Sequence, residues 1–150
     1  MSLENKRAQI YNEFEKLIPL CVNGNKHAEE YLRDINIIVR TIDDIADKDV
    51  DVSVQQIQYI FFALCFKLFL NPFYQANIGM LLGVQMAAYN AWLDSDRLKE
   101  SSNEVEKKWG SVIRGYIDEI LPMAAYLTGG FDAMRKVSLK LRELETFYRG

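Results

Sequence analysis

A chain of 150 residues with 49% hydrophobic and 26% charged side chains is long enough to bury a core without staples, and it is neither disordered nor fibrous. The formal charge of −3, with no run of Lys or Arg longer than two, leaves no electrostatic footprint for nucleic acid or an anionic membrane surface. Cys21 and Cys65 are the only cysteines, far apart and in apolar surroundings, and residues 1–7 lack the apolar centre of a signal peptide; both features suit reduced core thiols and a cytoplasmic setting.

The first helix is expected from about Ser2, with Leu3, Ile10, Phe14, Leu17 and Ile18 forming one apolar stripe. Pro19 should end or kink it, and Asn23-Gly24 should turn the chain. Asn25 is a good N-cap for a second helix, whose stripe is Tyr31, Ile35, Ile38, Val39, Ile42, Ile45 and Ala46. Glu29, Arg33, Asn36, Arg40 and Asp47 fall roughly opposite at about 100° per residue.

Ser53-Val54-Gln55-Gln56 reads as a capping box that opens a third helix. From Ile57 to Leu70 the chain is apolar on nearly every side apart from Gln58 and Lys67, which predicts a helix surrounded by others. Asn71-Pro72 stops it and starts a fourth, to about Leu93, with Asn77, Gln85 and Asn90 among apolar neighbours. Ile57, Ile60, Phe61, Leu64, Leu68, Leu81, Val84 and Ala88 are the expected core of this central hairpin. Lys67 and the three amides are costly in lipid, so no membrane span is expected. The Gly79-x-x-x-Gly83 pair should let a neighbouring helix approach closely.

Ser101-x-x-Glu104 is a second capping box, for a helix running to about Leu121. Pro122 should kink or end it, and Thr128-Gly129-Gly130 should stop the chain before a last helix from Asp132 to about Tyr148. No segment alternates as a strand would. The expectation is one all-α domain, a bundle of five to six antiparallel helices with a central apolar hairpin.

Chemistry is most readily placed on Arg40 to Asp49, where Asp43-Asp44-x-x-Asp47 gathers carboxylates at the C-terminal end of the second helix. A helix C-terminus is partially negative, so these acids need Arg40, Lys48 or a bound cation to offset them. Asp43 and Asp47 stand one turn apart on one side, with Asp44 about 100° round, a spacing suited to Mg²⁺ carrying a diphosphate. The same residues also fit a solvated helix end in which Arg40 pairs with Asp43 and Asp44.

The segment Arg40-x-Ile42-Asp43-Asp44-Ile45-Ala46-Asp47 resembles the first aspartate-rich motif of the isoprenoid synthases, of both the trans-prenyl diphosphate and the squalene/phytoene type. That resemblance implies an all-α bundle, Mg²⁺ held by Asp43 and Asp47 with Asp44 beside them, and a diphosphate-bearing small molecule as substrate. Asn90-x-x-x-Asp94 partly echoes the family's second motif, which makes Asn90 and Asp94, with Arg40, candidates to contact the bound group. The chain is much shorter than members of that family and lacks the paired arginines that follow the motif in prenyl diphosphate synthases. A closed cavity would therefore need a homodimer.

Two other readings use the same residues. All-α nucleoside triphosphate pyrophosphohydrolases also bind Mg²⁺ through acidic helix pairs, for which Glu29, Glu30, Asp43 and Asp47 are the available acids, although all lie on one helix here. A non-enzymatic interaction or assembly protein would need only a charged face on the second helix and exposed aromatics such as Trp109, Tyr116 and Tyr148. His27, the only histidine, is expected at the surface near a helix start.

Overall fold

The computed structural model describes the backbone of residues 3–48 and 50–149 and the side chains of residues 9–48 and 50–147. The expected start at Ser2 and the side chains of Leu3 and Tyr148 lie outside the described residues. Among the described residues the chain is all-α, without a strand. Helix α1, Leu3–Val22, carries Pro19 inside its last turn without ending there. The chain then reverses through Asn23 (φ 46°) and Gly24 (φ 78°), a left-handed pair that asparagine and glycine tolerate best. Asn25 caps α2, Lys26–Asp47, by accepting from the Ala28 N–H at 3.0 Å.

Helix α3, Val54–Leu70, opens with the reciprocal Ser53–Gln56 capping box and contains a π-helical turn at Ala63–Lys67. Asn71 then does two jobs. Its side-chain oxygen accepts from the Phe73 and Tyr74 N–H groups to cap α4, Pro72–Lys99, and its amide donates to the His27 carbonyl at the start of α2. Helix α4 bends at Asn77 and runs past Leu93 to Lys99, because nothing in residues 94–99 interrupts the backbone ladder.

Asn103 caps α5, Glu104–Arg114, by accepting from the Val105 N–H, so the cap lies two residues beyond Ser101. Helix α5 turns back along α4, closest at Gly110, where a Cβ would lie 3.0 Å from that of Leu98. The break expected at Pro122 falls instead at Gly115, followed by a 3-10 turn, Tyr116–Glu119. Pro122 sits in the first turn of α6, Ile120–Arg149, where a missing N–H costs no hydrogen bond. Gly130 (φ 83°, ψ −168°) bends α6 where the Gly-Gly stop was expected.

The core lies where α1, α2 and α6 meet, around Ile18, Leu32, Ile35, Leu121, Ala125 and Leu141. Tyr31 extends it toward α4, stacked on Tyr74 at 5.4 Å and tilted against Phe73 at 5.7 Å. The helix class agrees with expectation, but burial of the α3–α4 pair differs. Ile60, Leu68, Leu81 and Ala88 are buried and Val84 half-buried, whereas Ile57, Phe61 and Leu64 are exposed. The cause is a 104° bend between α3 and α4 at Asn71, which makes an elbow whose arms do not lie side by side. Beyond Phe73 in its first turn, helix α4 consequently buries only the narrow seven-residue stripe Tyr74, Leu81, Ala88 and Ser95. Among the described residues no single helix is long and apolar enough to cross a membrane; the bent pair α3 and α4 passes that test only jointly.

Candidate functional site: the aspartate-rich end of α2

Asp43 and Asp47 lie on the side of α2 that meets α4 and α5, and both are occupied by one cation. The Nη2 group of Arg114 donates to Asp43 Oδ1 and to both carboxylate oxygens of Asp47, the latter at 3.2 Å. Its Nη1 group donates to Asp96 Oδ1 at 2.6 Å and to Ser95 Oγ at 3.2 Å. Trp92 Nε1 adds a hydrogen bond to Asp43 at 3.1 Å, and Lys99 Nζ pairs with Asp47 at 3.3 Å. Three carboxylates, those of Asp43, Asp47 and Asp96, thus share two cations, Arg114 and Lys99.

Local folding explains the convergence. Arg114 is in the last turn of α5, where a cation suits the helix dipole, and the same guanidinium faces the acids in the last turn of α2. Two negative helix ends therefore share one positive group. The Arg114 side chain is only 20% exposed, and that of Asp47 12%. Burial alone lowers the Arg114 pKa, but the Asp96 hydrogen bond and the charges of Asp43, Asp47 and Asp96 outweigh it and raise the pKa above its ordinary value.

The other candidates lie apart from this cluster. Arg40 stacks its guanidinium 4.1 Å over the Tyr11 ring, where it ties α2 to α1. Asn90 and Asp94 are exposed and joined to each other by a 3.5 Å contact. At about 100° per residue they fall roughly opposite Trp92, on the face of α4 turned away from α2, so they do not join Asp43. Asp94 instead lines a shallow open depression with Arg97, Ser101 and Glu106. Asp44 is half-buried, and its carbonyl accepts from the Lys48 N–H that closes α2. Among the described residues no group of three or more His, Cys, Asp or Glu side chains is arranged to hold a metal ion.

A second polar cluster was not foreseen. Asp34, buried on α2, accepts from Tyr59 Oη and pairs with Lys67 Nζ at 2.9 Å, while Glu30 stands 3.3 Å from the same ammonium. Burial alone lowers the Lys67 pKa, but the bonds to Asp34 and Tyr59 prevail and raise it. Lys67 closes the π-helical turn, so the one charge on α3 points inward. Cys21 is buried and donates to the Leu17 carbonyl, whereas Cys65 is exposed instead of in the core. His27 is exposed, as expected.

Arg114 and Trp92 escaped the sequence reading because an arginine in a last turn and a tryptophan in an apolar helix are each unremarkable locally. The available signal was the uncompensated charge on α2, which requires a cation from a distant element once Arg40 is engaged elsewhere. No family model, curated protein or solved structure matches this chain, so the isoprenoid-synthase resemblance rests on the α2 segment alone.

Proposed function

We propose that this chain is a helical interaction or assembly protein, and that its aspartate-rich segment is an internal clamp that fixes α2 to α4 and α5. The observation that carries this reading is the large apolar face of α3 and α4 left open to solvent, from Val54 and Phe61 to Met86 and Leu93. Open apolar surface on this scale marks an association site. An aqueous, reducing compartment suits a chain with an exposed, unbridged thiol at Cys65.

The Arg114 guanidinium weighs against Mg²⁺-dependent chemistry on a diphosphate, because it takes up the carboxylate oxygens that a cation would need. A hydrated Mg²⁺ between Asp43 and Asp47 would have to displace Arg114 and leave it beside a second positive charge. The test is calorimetric titration with inorganic diphosphate in millimolar Mg²⁺. We expect no metal-dependent heat from the unmodified protein. Saturable, Mg²⁺-dependent diphosphate binding abolished by Asp43→Asn with Asp47→Asn would overturn the reading in favour of a diphosphate enzyme.

A further inference from the structure

Residues 52–93 contain one charged side chain, Lys67, and it is turned inward onto Asp34 and Glu30. The outer surface of the elbow is therefore uncharged along α3 and along α4 as far as Leu93. Phe61, Phe66, Leu70, Leu82, Met86 and Tyr89 are each 51% to 72% exposed. At about 150–250 Å² for an aromatic side chain and somewhat less for Leu or Met, these and their apolar neighbours together place on the order of 1,000 Å² of apolar surface in solvent over the two arms. The largest apolar patch of a typical monomer is about 300–600 Å², whereas a stable complex buries about 800 Å² per partner. The area matches one side of an interface.

The two arms also differ in relief. Helix α3 presents a ridge of Phe62, Phe66 and Phe69, with Phe62 and Phe66 in ring contact at 5.8 Å and Phe61 exposed about 100° round. No helix of the same chain approaches Gly79 and Gly83 closely, contrary to the sequence expectation: an added Cβ would meet nothing within 4 Å at either, and their missing side chains leave a trough on α4. A bulky ridge and a small-residue trough on one molecule are what a two-fold axis can use, since each copy then offers what the other lacks.

We propose that a second copy of this chain covers the elbow, with the α3 ridge of each copy lying across the Gly79–Gly83 trough of the other. This rests on the interaction reading above and names its partner. A lipid surface suits the elbow less well, because membrane-seated helices rim their apolar face with Lys or Arg, and the single lysine here faces the protein.

The experiment is sedimentation velocity of the unmodified protein at micromolar concentration, repeated with Gly79→Gln plus Gly83→Gln and, separately, Phe66→Glu. The unmodified protein should sediment at twice the 17.4 kDa of one chain. Both variants should keep their helical circular dichroism, because the altered positions are open in the single chain, and should weaken dimerisation by at least about tenfold. The Cys65 thiol on the same arm should react slowly with a maleimide in the dimer and at least tenfold faster in the variants. A strict monomer, a dimer unaffected by both variants, or a monomer that floats with phosphatidylcholine–phosphatidylserine vesicles would each overturn the inference. None of these produces Mg²⁺-dependent diphosphate binding, so failure here is distinct from failure of the interaction reading.

Discussion

Trp92 and Arg114 converge on the same carboxylate oxygen. Both donate to Asp43 Oδ1, while the guanidinium lies 5.9 Å from the centre of the indole ring. The pair makes a lid of one ring and one cation over an acid that α2 alone cannot compensate. Replacing Arg114 with Ala strands three carboxylates that it now bridges, and we expect a loss of about 1.5 to 3 kcal/mol in urea unfolding. Arg114→Lys should recover only part of this, because a single ammonium cannot reach Asp43, Asp47 and Asp96 at once. If the clamp is the purpose of the acids, Arg114→Ala also gains a Mg²⁺-dependent rise in melting temperature that the unmodified protein lacks. Equal stability of Arg114→Ala and the parent would remove the clamp.

Two leucines on adjacent helices separate the single-chain core from the open face. Leu81 is fully buried, so Leu81→Ala should cost about 2 to 5 kcal/mol at any protein concentration. Leu64 is 42% exposed, and its truncation should cost less than about 1 kcal/mol in the monomeric Gly79→Gln plus Gly83→Gln background. Denaturation of both variants over a hundredfold range of concentration would distinguish them. A concentration-independent loss of several kcal/mol at Leu64 would place it in the core of the single chain.

Legibility in the sequence followed the range of the interactions involved. The α2 and α3 caps at Asn25 and Ser53, the Asn71-Pro72 break and the bend at Gly130 are written in a few neighbouring residues, and each was readable. The apolar composition of α3 was equally plain, yet it did not reveal what covers Phe61, because composition records a demand for burial and not the partner that meets it. Asp34 shows the opposite failure. One acid within the apolar stripe of α2 gives no sign that Tyr59 and Lys67 will meet it 25 and 33 residues later. The anomaly of Asp43 and Asp47 was visible; its resolution by Arg114, 71 residues beyond Asp43, depends on how α5 folds back along α4.

Tyr31 offers a test of polar satisfaction in the core. Its side chain is fully buried between Phe73 and Tyr74, and its hydroxyl has no hydrogen-bond partner. A desolvated hydroxyl without a partner costs about 1 to 3 kcal/mol, whereas the ring contributes by packing. Tyr31→Phe keeps the ring and removes the cost, so it should be neutral or stabilise the fold. Tyr31→Ala should destabilise by about 3 to 5 kcal/mol. A loss above about 1 kcal/mol in Tyr31→Phe would mean that the hydroxyl is satisfied in solution.

Alkaline pH should unfold the protein in a defined order, beginning at Cys21. Burial holds this thiol in its protonated form, with its pKa pushed from 9.0 up to about 12. Below pH 9 the thiol is protonated in both folded and unfolded chains, so its contribution is fully present. Above pH 9 the unfolded chain loses the proton and the folded chain keeps it, so stability falls by up to about 1.4 kcal/mol per pH unit until the folded pKa is reached. Tyr31, Tyr59 and Tyr74 are raised above their ordinary value of 10.0, chiefly by burial, and contribute with the same sign from about that pH. Melting temperature measured from pH 7 to 11 should therefore stay level and then decline from about pH 9. Cys21→Ala should move the onset toward pH 10, where the tyrosines begin, while Cys65→Ala at an exposed position should leave it unchanged. An onset that does not move in Cys21→Ala would show that the buried thiol does not control the first step.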